Sequence, residues 1–179
     1  GLPGGLHRPL QTFAEDLWFH IGPQAAARGY NFICVDLPGQ GLLPWEGKFF
    51  RPAMNVPISA VIDYALKRPE VDPQRLAAYG ISGGGGFVPQ TAMNDPRIKA
   101  AAVTSAVVDA ERLFATIAVA RTTQNDLDGF TSFHRNVVKL VAYRWGVKMD
   151  NIPGLVVANK GFTFDPSKVT CPMLLLVGA

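Results

Sequence analysis

The chain has 179 residues, 48% of them hydrophobic and 17% charged, a size that holds one ordinary domain with a real core and a composition that excludes disorder. Its 18 glycines and 14 prolines follow no collagen-like repeat, and its 17 basic and 14 acidic residues leave a net charge of +3 with no basic patch, which argues against nucleic acid as a partner. No apolar run approaches the ~18 to 20 residues of a membrane span, and the start, GLPGGLHRPL, lacks the regions of a signal peptide.

The elements alternate. From Thr12 the positions Phe13, Leu17 and Ile21 and the alanines at 25–27 recur at helical spacing, with Thr12 as N-cap, Glu15 completing a capping box and Gly29 closing the helix. Residues 30–36 (YNFICVD) have strand character, and LPGQG forces a turn after Asp36. A loop over 42–56 carries Trp45, Phe49 and Phe50, and Ile58, Val61, Ile62 and Leu66 then return to helical spacing until about Pro69. Residues 75–81 and 98–104 read as strands around a helix at 87–94 that contains Pro89. A mostly helical stretch runs from Ala110 to about Tyr143, and the apolar run MLLLV at 173–177 is a last strand. Short strands alternating with helices imply an α/β sheet. Cys34 and Cys171 sit in apolar, strand-like surroundings and read as core thiols in a reducing compartment.

The chemistry concentrates at Gly80-Ile81-Ser82-Gly83-Gly84, a G-x-S-x-G sequence with a strand before it and a helix after it. A serine at such a strand-to-helix turn adopts a strained backbone that lifts its Oγ clear of the sheet, and glycines at 80 and 84 remove side chains that would collide there. The Gly83 N–H, at the start of the helix, is placed to stabilise an oxyanion. The bland alternative is a glycine-rich turn that only joins two elements. A phosphate loop does not fit, because no G-x-G-x-x-G can be laid over 80–89 and no Lys follows the glycines.

With these residues in place, the chain resembles the α/β-hydrolase superfamily, and within it the FrsA-like branch that includes 2,6-dihydroxypseudooxynicotine hydrolases and the polyketide-shortening hydrolases of fungal pigment pathways. The resemblance rests on TFAEDLWFHIGPQAAARGYN at 12–31, VDLPGQG at 35–41, EVDPQRLAAYGISGGGG at 70–86 and CPMLLLVG at 171–178. It implies Ser82 as the nucleophile, Gly83 as the first oxyanion donor, and a second donor from the loop around Gly5 and Leu6. Where family members carry a Gly-Gly-x-Asp-like connection, this chain has PGGLHRPLQT. The resemblance also places the acid after the strand matching MLLLVG and the histidine later still, beyond Ala179.

Among the residues present, His7 lies in the candidate oxyanion loop and either lines the pocket or is solvated. His20 shares a face with Phe13 and Leu17 and reads as partly buried and structural. His134 falls on a cap helix, near substrate or structural. Asp109 follows the strand at 98–104, a position some α/β-hydrolases use for the acid, whereas a helix N-cap before Ala110 is the simpler role. Asp36 reads as a turn-former for LPGQG.

The expected fold is therefore an α/β-hydrolase fold: a mostly parallel sheet with flanking helices and a helical cap segment, truncated at both ends. A core at 1–109 carries the oxyanion loop and elbow, 110–168 forms the cap, and 169–179 is a core strand leading to the absent acid. A strand preceding Gly1 is expected between those at 30–36 and 75–81, because without it the two would leave unpaired backbone groups at about 1 to 3 kcal/mol each. The expected activity is that of a cytoplasmic serine hydrolase cleaving an ester, thioester or activated carbon–carbon bond through an acyl-enzyme at Ser82, without metal or cofactor. Phe114, Phe130, Phe133 and Trp145 suggest an aromatic or polyketide-like acyl substrate, the resemblance favours a homodimer, and the lack of a long apolar run argues against membrane contact. The alternatives are a non-catalytic binding or structural protein built on the same fold, and an inactive fragment.

Overall fold

The computed structural model describes residues 14–119, 131–149 and 151–177. They fall into two compact units, one of residues 1–50 and 116–155, the other of residues 51–115 and 156–179. The segment at 110–168 is thus shared between them.

In the first unit the helix expected to start at Thr12 is two helices, α1 (Ala14–His20) and α2 (Gly22–Ala26). Pro23 explains the interruption, since it has no N–H to offer the carbonyl four residues back. Thr12 and Phe13 lie outside the described residues. The Ala14 N–H, one of the first-turn donors of α1, is instead taken by Asp36 Oδ1 at 3.2 Å. In the turn that Asp36 is expected to form, Gln40 Oε1 accepts from the Leu37 N–H at 3.0 Å. Among the described residues the segment 30–36, expected as a strand, joins no ladder, although Phe32, Cys34 and Asp36 are half-buried while Ile33 and Val35 are exposed, the alternation of an extended chain. Strand propensity fixes which side chains point inward, but a strand needs a neighbour to pair with. Cys34 is half-buried and donates from Sγ to the Ala14 carbonyl at 3.3 Å.

The second unit holds α3 (Asn55–Ala65), β1 (Ala77–Ile81), α4 (Gly83–Asn94), β2 (Ala100–Thr104) and β3 (Met173–Leu176). Three further helices are α5 (Ala110–Val119), α6 (Ser132–Arg144) and α7 (Ile152–Ala158). α6 lies in the first unit, while α5 and α7 each have residues in both. The sheet is parallel throughout, in the order β1-β2-β3, with Ile81 opposite Thr104 and Thr104 opposite Leu176. α4 covers one face: Val88 packs with Ala101 and Val103, and Ala78, Cys171 and Met173 surround them. On the other face Tyr79, Ile81, Leu174 and Leu176 are exposed. Parallel strands are ordinarily covered on both faces, so the MLLLV run, expected as a core strand, has the right conformation but an open side.

Polar contacts lock α4 in place. The buried Gln90 donates from Nε2 to the Pro52 carbonyl at 2.7 Å and the Thr163 carbonyl at 3.3 Å, and accepts from the Asn55 N–H at 3.3 Å. Just past its end, the buried Asp95 accepts from Ser59 Oγ at 2.7 Å and from Arg97 Nε and Nη2 at 2.7 and 2.6 Å. Arg97 also bonds Asp63 on α3.

Candidate active site

β1 ends at Ile81 and α4 begins at Gly83, so a single residue, Ser82, turns the chain. Its φ of 54° and ψ of −115° lie in a region that L-residues rarely adopt. Such a conformation persists only where neighbours enforce it. Here the Ser82 N–H donates to the Thr104 carbonyl at 2.9 Å, while the Ser82 carbonyl accepts from the Gly85 and Val107 N–H groups at 2.9 and 3.3 Å.

The glycines around Ser82 do different work. A Cβ at Gly80 would lie 2.2 Å from the Gly84 carbonyl oxygen, so this position admits no side chain. A Cβ at Gly84 would meet nothing within 4 Å. The clash expected at both positions is therefore confined to Gly80, because the helix carries the Gly84 side-chain direction away from the strand. Gly85 and Gly86 are the tight positions that the motif alone does not reveal: a Cβ there would come within 2.8 Å of Ala106 Cα and 2.3 Å of the Val107 carbonyl oxygen. Their signal in the sequence is the unbroken run of four glycines.

Gly83 is the first residue of α4. The first N–H groups of a helix have no acceptor within it and lie at the positive end of its dipole, the geometry an oxyanion donor requires. Gly5, Leu6 and His7, the candidates for the second donor and the pocket, lie outside the described residues, as does Phe130.

The remaining candidates are placed as follows. Asp109 is the N-cap of α5, its Oδ1 accepting the Arg112 N–H at 2.8 Å, and it bridges to Thr163. His134 is exposed in the first turn of α6, with Nδ1 2.8 Å from the Oγ1 of the N-cap residue Thr131. His20 is exposed in the last turn of α1, not partly buried as its spacing from Leu17 suggested. Phe114 and Trp145 are buried, Trp145 against Phe50 at 5.6 Å between ring centroids, while Phe133 is exposed. Among the described residues no group of His, Cys, Asp or Glu is placed to hold a metal ion, and no helix is long and apolar enough to cross a membrane.

One residue near the elbow carries no sequence signal at all. Ser105, directly after β2, has φ 51°, and it and Ser82 are the described non-glycine residues with positive φ.

No family model matches the chain. Curated relatives do: it is 41% identical over 96 residues to "Alpha/beta hydrolase gkaG" of Penicillium citrinum, a match covering 48% of this chain and 22% of that protein. It is 38% identical over 109 residues to "20-hydroxy-prefusarin hydrolase FUS2" of Gibberella moniliformis, covering 55% of this chain and 26% of that protein. The chain is related to the α/β-hydrolase superfamily. A bacterial relative, "Uncharacterized protein YcjY" of Escherichia coli, is 48% identical over 109 residues, covering 59% of this chain and 33% of its own. The α/β-hydrolase fold is seen again in the solved structure of AbyA5, with a TM-score of 0.68 at 18% identity over 93% of this chain and 42% of that one. The chain matches between about a fifth and a third of the length of these curated relatives.

Proposed function

We propose that this chain carries the nucleophile of a serine hydrolase. Ser82 Oγ attacks the acyl carbon of an ester, a thioester or an activated carbon–carbon bond next to a carbonyl. The Oγ–carbon bond forms, the bond to the leaving group breaks, and the hydroxyl proton passes through a general base to the leaving group. Water then cleaves the acyl-enzyme and restores the serine. The Gly83 N–H faces the charge that develops on the carbonyl oxygen.

The observation that carries this reading is the φ, ψ pair of 54° and −115° at Ser82, on the one residue between β1 and α4. A turn that merely joined two elements would place glycine at such a position; a serine there keeps a hydroxyl at the cost of strain. The hydrolase names of the fungal relatives agree with it. Phe114 and Trp145 are buried, so the case for an aromatic or polyketide-like substrate rests on the resemblance and not on these side chains; the name of FUS2 specifies 20-hydroxy-prefusarin for that protein.

A fluorophosphonate probe tests the assignment. Covalent labelling of the folded protein, lost in Ser82→Ala and mapped by mass spectrometry to the peptide containing Ser82, is the expected result. A folded protein that takes up no label overturns the reading in favour of a binding or structural role.

A further inference from the structure

Ser82 and Ser105 stand in equivalent places. Ile81 and Thr104 are opposite one another in the ladder and are the last residues of β1 and β2, so the two serines are the first residues beyond the carboxyl ends of adjacent parallel strands. Neighbouring strands lie about 5 Å apart. Open α/β sheets bind ligands outside the carboxyl ends of their strands, so both serines border the region a substrate would enter.

Ser105 is also held there firmly. Its N–H donates to the Leu176 carbonyl of β3 at 2.9 Å, the preceding carbonyl, of Thr104, accepts from Ser82, and the Val107 N–H returns to the Ser82 carbonyl. Ala106, between them, presses on the Gly85 position of α4. Ser105 is itself exposed, and its φ of 51° is one that glycine would adopt without strain. Among the described residues the Ser105 hydroxyl has no hydrogen-bond partner; a hydroxyl kept in a strained backbone is the pattern of a functional site.

We propose that Ser105 is a substrate-binding residue, whose hydroxyl hydrogen-bonds an oxygen substituent on the acyl chain close to the scissile carbonyl. The inference rests on Ser82 being the nucleophile. The spacing of one strand sets the class of substrate: acyl groups with a hydroxyl or keto oxygen two or three bonds from the carbonyl carbon, in preference to plain alkyl chains.

The experiment compares p-nitrophenyl 3-hydroxybutyrate with p-nitrophenyl butyrate as substrates of the purified protein and of Ser105→Ala, Ser105→Gly and Ser82→Ala. The expected result is a wild-type preference for the hydroxy ester in kcat/KM that falls at least fivefold in both Ser105 variants, alike although only Ser105→Gly relieves the strain. If the two Ser105 variants change both esters in parallel, following their own stability in urea, Ser105 is structural and the inference is overturned. Hydrolysis abolished by Ser82→Ala but with no preference for the hydroxy ester overturns this inference alone. No Ser82-dependent hydrolysis of either ester, together with no fluorophosphonate labelling, overturns both readings.

Discussion

The Ser82 N–H donates to the carbonyl of Thr104 at 2.9 Å, so the backbone of the proposed nucleophile is braced by the neighbouring strand as well as by the helix that follows it, whose Gly85 N–H returns to the Ser82 carbonyl. A conformation of this kind costs about 1 to 3 kcal/mol for a residue with a side chain. Ser82→Gly, which can adopt the same φ without strain, is expected to raise stability by about 1 kcal/mol, while Ser82→Ala leaves it nearly unchanged. Urea unfolding with matched m values checks both, and a Ser82→Gly variant no more stable than Ser82→Ala would show the turn to be unstrained.

Two glycines of the same motif should respond in opposite ways. Gly80→Ala pushes a Cβ to 2.2 Å from the Gly84 carbonyl oxygen, an overpacking that forces backbone movement and costs about 1 to 3 kcal/mol. Gly84→Ala enters open space at a helical position, where alanine is favoured over glycine by roughly 0.5 to 1 kcal/mol. Thermal melts of the pair should therefore bracket the parent, with Gly80→Ala below it and Gly84→Ala at or above it.

How much of this was legible in the residues differs from one element to the next. G-x-S-x-G fixed both the position and the strain of Ser82, because few backbones satisfy a strand, one turning residue and a helix in succession. The parallel strands at 77–81 and 100–104 followed from their apolar runs. Residues 30–36 have the same composition but join no ladder among the described residues, since pairing depends on a second segment that propensity does not see. The break between α1 and α2 at Pro23 was readable in principle, but the apolar spacing through Ile21 masked it. Ser105 was not readable at all: its positive φ comes from the packing of residues 104–107 against the elbow, and serine is a common residue in any loop.

Asp95 gives the fold a pH dependence. The Arg97 hydrogen bonds hold its carboxyl at about 2, against 3.8 for an unconstrained aspartate, with Ser59 assisting and burial opposing. A carboxyl whose pKa is lower in the folded state contributes its stability in full above about pH 4 and loses it as the pH falls towards 2. The shift corresponds to on the order of 2 kcal/mol. Asp95→Asn should lose about that much at neutral pH and flatten the stability profile between pH 4 and pH 2, as read by urea unfolding across that range.

Asp109 separates a structural carboxylate from a catalytic one. As the N-cap of α5 its loss in Asp109→Ala should cost about 1 kcal/mol, and Asp109→Asn should retain most of that, since asparagine caps equally well. Neither variant should slow fluorophosphonate labelling at Ser82. Labelling lost in Asp109→Asn at unchanged stability would instead make Asp109 the acid of the site.

The sheet face opposite α4 has a practical consequence in solution. Tyr79 and Ile81 on β1 and Leu174 and Leu176 on β3 present apolar surface to water on one face of the sheet, and among the described residues these outer strands are edges able to template further pairing. The protein in dilute buffer is therefore expected to be colloidally fragile: bright with a dye such as ANS while its far-ultraviolet circular dichroism stays native, and scattering light increasingly as it is concentrated. Leu174→Lys or Leu176→Lys should suppress both signals, since a charge on that face keeps copies apart while leaving the α4 side of the sheet as it is.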